Sequence, residues 1–95
     1  GGELPEDKAL DAARLAFSSR QRVIFDMVRK LPGITVDALV EAVWGHDPNG
    51  GPSQPENGIW SAISGMRKVL PRYGYQINNV AGWGRRAQYV IQRID

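Results

Sequence analysis

Asn57, Ser61, Ser64 and Lys68 stand four, three and four residues apart. On a helix, at about 100° per residue, that spacing puts all four on one side. Asn57 brings an amide that both donates and accepts, the serines bring hydroxyls, and Lys68 brings a cation. Ile59, Ile63, Met66 and Leu70 repeat with the same period on the opposite side. The polar row holds no carboxylate. Short hydrogen-bonding side chains ending in a cation suit contact with base edges and phosphates in a nucleic-acid groove. They do not suit acid–base catalysis, which works best with a group titrating near the operating pH; the row holds no histidine or carboxylate. Arg67 adds a second cation at the C-terminal end, where a cation is also favoured by the helix dipole.

A second cationic group, Arg85-Arg86, follows Gly82-Trp83-Gly84. On the tip of a hairpin, arginines reach a narrow minor groove or the phosphates beside it. The candidate nucleic-acid contacts are therefore Asn57, Ser61, Ser64, Arg67, Lys68, Arg85 and Arg86. Trp83 has two readings, an anchor of the hairpin against the 56–70 helix or an apolar contact tip. Trp60 lies at the margin of the helix and is expected partly in the core. Trp44 is expected in the core, against the hairpin or the first helix. His46 is the only histidine and cysteine is absent, so the several ligands of a metal site are missing. Asp26, Asp37, Glu41 and Asp47 show no pairing beyond that of ordinary helix surfaces. No nucleophile–base pair or GxxxxGK[ST] loop occurs. The expectation is a protein that is not an enzyme, with no catalytic residue, metal or cofactor.

These residues need elements to hold them. Pro5, the acids after it and the shared face of Leu10, Ala13 and Phe17 predict a helix over 5–16, with a partly ordered lead-in as the alternative. Ser18 or Ser19 caps a second helix over 19–31, with Val23, Ile24, Met27, Val28 and Leu31 as its apolar stripe. Pro32-Gly33 ends it. Ile34-Thr35 predicts a very short strand, and Thr35 can cap a helix over 36–44 that buries Val36, Leu39, Val40 and Val43. Gly45 reads as the C′ residue of that helix. Residues 45–55 are dense in turn formers and form a long loop. The 56–70 helix stops at Pro71. Beyond it, aromatic and β-branched runs flank the Gly-rich turn as a hairpin. Residues 1–17 are a lead-in and residues 18–95 one domain.

With 95 residues the chain makes one small domain, and 42% hydrophobic residues suffice for a core without a membrane span. Charge is segregated. Residues 1–16 hold Lys8 and Arg14 against Glu3, Glu6, Asp7 and Asp11, whereas residues 57–95 hold six cations against Asp95 alone. A basic C-terminal half suits a polyanionic partner. The absence of cysteine fits a reducing, cytoplasmic setting.

The order helix, short strand, helix, helix, basic hairpin resembles a winged helix-turn-helix domain. This is an α+β fold, a three-helix core with a C-terminal β-hairpin wing, here with an extra N-terminal helical segment. Leu39-Val40-Glu41-Ala42-Val43-Trp44-Gly45 resembles the Leu-x-Glu-x-Val-Trp-Gly stretch of OmpR/PhoB-type DNA-binding domains. Ile63 to Leu70 is similar to the end of that family's recognition helix, and Ile77 to Gly84, with Tyr89, to its wing. The likeness spans residues 18–94. It implies a recognition helix in the major groove, a wing on the adjacent minor groove, and a loop, here 45–55, that often faces RNA polymerase. It carries over positions 57, 61, 64, 67 and 68 and the wing turn 82–86. Three departures stand out. A helical segment replaces the usual leading sheet, Ser64-Gly65 and Ala81 stand where arginines are common, and the 95 residues include no receiver domain. A divergent relative, such as a phage or host regulator, or one domain of a larger regulator is implied.

The leading expectation is a transcription regulator that binds double-stranded DNA, nucleoid-associated in the cytoplasm, as a monomer or weak dimer on DNA. About five phosphate contacts would give a log–log salt slope near −4 to −5. The rival is a protein-interaction winged helix, contacting RNA polymerase through loop 45–55 and the Trp83 tip.

Overall fold

The computed structural model describes residues 5–94, with side chains from Lys8 onward. Glu3 and Asp95, counted in the charge balance, lie outside the described residues. Four helices, α1 (Pro5–Leu15), α2 (Ser19–Lys30), α3 (Val36–Trp44) and α4 (Pro55–Val69), pack with a small antiparallel sheet. Its strands are β1 (Ile34–Thr35), β2 (Tyr75–Ala81) and β3 (Gln88–Arg93), in the order β1-β3-β2. The result is an α+β fold compatible with a winged helix.

Local chemistry accounts for the element starts. The Ser18 hydroxyl accepts from the Gln21 amide at 3.3 Å, and Gln21 Oε1 accepts from the Ser18 amide at 2.8 Å. This reciprocal box satisfies two donors that the first turn of α2 leaves open. Thr35 Oγ1 accepts from the Ala38 amide at 3.1 Å and caps α3. Gly45 is a correction. It sits at φ −60°, ψ −24°, in right-handed helical backbone, and is not a left-handed C′ residue. Past Pro71 a short 3-10 turn, Leu70–Tyr73, ends on Gly74 at φ +85° and releases the chain into β2.

The core is shared by all four helices. Ile59, Ile63, Met66 and Leu70 are all buried, as their spacing predicts. In α2 the stripe differs from expectation. Ile24 and Val28 are buried, but Val23 and Leu31 are exposed and Phe25 is fully buried instead. Phe17, just past α1, packs edge-on against Phe25 with ring centroids 5.1 Å apart. That aromatic pair turns α2 so that Val23 falls outside the buried arc.

Leu10, Ala13 and Phe17 join the core, so α1 is packed onto the body. Arg14 donates two 2.8 Å hydrogen bonds to the Asp26 carboxylate, and Arg29 pairs with Asp11 at 2.9 Å. Arg22 donates to the carbonyls of Arg14 and Leu15 at the end of α1. The hydrogen bond to Asp26, reinforced by its charge, raises the Arg14 pKa above the usual arginine value.

Trp44 is partly buried against the core. Its indole lies between α3, α4 and the 45–54 loop. A β-carbon at Gly58 would stand 2.7 Å from its Cη2, and one at Gly51 would stand 2.8 Å from its Cγ. The Arg20 guanidinium lies 5.0 Å from the ring centroid. The long loop thus folds back to cover the ring, with Gly51 at φ +75°.

Candidate functional site

Asn57, Ser61, Ser64, Arg67 and Lys68 are all exposed along one side of α4. Trp60, 37% exposed, lies among them. Glu56 is off this face, turned toward the hairpin. The exposed surface of α4 is therefore free of carboxylates over a helix roughly 22 Å long.

The hairpin lies along one edge of α4. Near the C-terminal end, Arg67 Nε donates to the Ile77 carbonyl of β2 at 3.3 Å, and its guanidinium stands 5.9 Å from the Tyr89 ring centroid. Near the N-terminal end, Arg85 Nη1 lies 3.7 Å from Glu56 Oε2. The chain thus runs from the end of α4 back to its start. Lys68 and the hairpin tip consequently lie near opposite ends of the helix, about 18 Å apart along its axis.

Two candidate cations are engaged internally. Arg67 ties α4 to the sheet but keeps its net charge, because its partners are a carbonyl and an aromatic ring. The charge of Arg85 is compensated locally. Its side chain is bonded to the Asp37 carboxylate at the start of α3 and paired with Glu56 at the start of α4. Both tip arginines are exposed, but only Arg86 is without a carboxylate partner among the described residues. Sequence spacing could not show this, because Asp37 is 48 residues from Arg85. Lys68 and Arg86 are exposed and have no partner among the described residues. Asn57 donates an amide proton to Gln54 Oε1 at 2.8 Å and stays exposed.

The turn that carries Arg86 is strongly braced. Val80 is a bulge, since Asn79 faces Tyr89 and Ala81 faces Gln88. Asn79 Oδ1 accepts from the amides of Ala81 and Gln88, and its Nδ2 donates to the Gly82 carbonyl at 2.8 Å. A β-carbon at Gly82, φ +69°, would stand 2.5 Å from the Arg86 carbonyl oxygen, so only glycine closes this turn. Trp83 does not anchor the hairpin. It is 87% exposed.

No family model, curated protein or solved structure matches this chain. Its chemistry is read from the geometry alone. That geometry adds two residues the spacing did not single out, Arg20 and Gln21, and sets Trp60 within the polar row. Trp60 interrupts the polar row, three residues from Asn57 and four from Ser64, a helical spacing that was legible. Arg20 and Gln21 come from α2 and, with Ser18, Gly58, Ser61 and Ala62, line a shallow concavity of about 230 Å³ beside the row. Gly65 permits this approach, since a β-carbon there would meet Gln21 Nε2 at 2.5 Å. No helix among the described residues is long and apolar enough to cross a membrane.

The Arg85 bridge has a stability consequence. Glu56 Oε2 is shielded from solvent and receives no hydrogen bond among the described residues, so Arg85 is the charge that faces it. Exposed ion pairs contribute up to about 1 kcal/mol each. Arg85→Ala should lower stability by about 1 kcal/mol, while Arg86→Ala should leave it unchanged. Urea unfolding of the two variants side by side checks the contrast; equal midpoints would show that the bridge contributes nothing.

Proposed function

We propose that this chain is a double-stranded DNA-binding domain of a transcription regulator, of the winged helix-turn-helix type. In this reading α4 is the recognition helix in the major groove, and the turn 81–87 is a wing against the adjacent minor groove and its phosphates. The carrying observation is the exposed, carboxylate-free face of α4, with Asn57, Ser61, Ser64 and Lys68 in one row and a hairpin along its edge. An α-helix of this width fits the major groove, and the amide of Asn57 can pair bidentately with adenine once it leaves Gln54. Lys68 at one end and Arg86 at the other offer cations to the phosphates that border a groove. Cytoplasmic, nucleoid-associated localisation follows from this reading.

Selection from a pool of random duplexes tests it. Enrichment of a short motif by the wild-type chain is the expected result. Asn57→Ala should then enrich an altered motif at one position, with affinity for unrelated duplexes unchanged. If no sequence is enriched and no duplex is retained, the DNA reading falls. Retention on immobilised RNA polymerase would then favour the protein-interaction alternative through loop 45–55.

A further inference from the structure

Trp83 is the most exposed large apolar side chain among the described residues, and nothing in its surroundings explains it. Its neighbours Gly82 and Gly84 have φ of +69° and +62°, and Trp83 itself is extended at φ −153°, ψ 168°. This backbone carries the indole away from the body. The base beneath it is rigid. The Arg86 amide donates to the Trp83 carbonyl at 3.2 Å, Asn79 stitches the bulge, and the Arg85 bridge pins the turn to α3 and α4. Arg86 stands three residues on, exposed and without a partner among the described residues, and from Asn57 to Ile94 the sequence contains no acidic residue. A flat ring on a braced turn, beside an unpaired cation and with the nearby Asp37 and Glu56 carboxylates taken up by Arg85, matches a partner that is both anionic and aromatic.

Resting on the DNA reading above, we infer that Trp83 is a stacking wedge. It enters the groove beside the α4 site and partly unstacks a flexible pyrimidine–purine step, while Arg86 holds a flanking phosphate. Such steps unstack most easily, and apolar wedges on other minor-groove proteins bend DNA in this way. Trp83 thereby adds preference at a position that no base-edge contact reads.

The test uses the whole chain and short duplexes carrying 2-aminopurine beside TA steps, with heparin as a polyanion that has no bases. Trp83→Ala folds like the parent, because the ring buries almost nothing; thermal unfolding verifies this. The expected result is a rise in 2-aminopurine fluorescence with the wild type that Trp83→Ala abolishes. Duplex affinity should fall roughly 5- to 150-fold, the range of one base–aromatic stack, and Trp83→Phe should restore part of it. Heparin affinity should not move. Unchanged duplex affinity and fluorescence in Trp83→Ala would overturn the wedge and leave the DNA reading standing. No duplex binding by the wild type would overturn both. Self-association of the free chain that Trp83→Ala removes would assign the ring to a second copy and also overturn the wedge.

Discussion

Gly58→Ala should destabilise this protein by about 1–2 kcal/mol, and Gly58→Val by about 3 kcal/mol, although both replacements favour a helix. Within a helix, alanine is ordinarily better than glycine by up to about 1 kcal/mol. Here the new β-carbon would stand 2.7 Å from Trp44 Cη2. The ring has little room to retreat. Gly51 closes on its Cγ end, and Arg20 lies over its face. Either α4 moves away from α3, or the indole leaves its place, and both cost packing in a small core. The branched valine side chain adds two methyl groups in the same space. For a domain of this size, the alanine variant should lose roughly 5–15 °C in unfolding midpoint. Combining it with Trp44→Phe should shrink the loss, because the smaller ring no longer meets residue 58. An unchanged or raised midpoint for Gly58→Ala would show that the indole moves freely, and that glycine at 58 has another cause.

A salt titration of duplex binding should give a log–log slope near −3, shallower than the −4 to −5 of about five phosphate contacts. Each phosphate neutralised by a cation releases condensed counterions and contributes about −0.9. Of the four candidate cations, Arg85 is neutralised by Asp37 and Glu56, and Arg67, Lys68 and Arg86 keep their net charge. A fourfold rise in salt should then weaken wild-type binding about 40-fold. The Lys68→Ala/Arg86→Ala double variant should retain a slope near −1, and the same rise should weaken it only about 4-fold. Fluorescence anisotropy with a labelled duplex reads both. A slope steeper than about −3.6 would mean that Arg85 leaves its carboxylates for phosphate. A slope near zero would exclude groove binding through these cations.

The α4 face was legible because a helix of this length imposes one period on its residues. The row Asn57–Ser61–Ser64–Lys68 and the buried Ile59–Ile63–Met66–Leu70 follow from spacing alone. The caps at Ser18 and Thr35 were legible for a similar reason, since each acts within three residues. The stripe on α2 was read less well. Period alone cannot say which of several adjacent apolar residues is covered, and Phe17 resolved it by packing on Phe25.

Local spacing, short-range capping and the Gly-rich turn were thus determined by the amino-acid order, because each depends on neighbours within a few residues. The state of the arginines and tryptophans was decided only by tertiary structure. Whether Arg85 faces solvent or two carboxylates depends on where the starts of α3 and α4 lie. Whether a tryptophan is packed, like Trp44, or exposed, like Trp83, depends on which segments fold back over it. Both are set by contacts between residues distant in the chain, which no local pattern encodes.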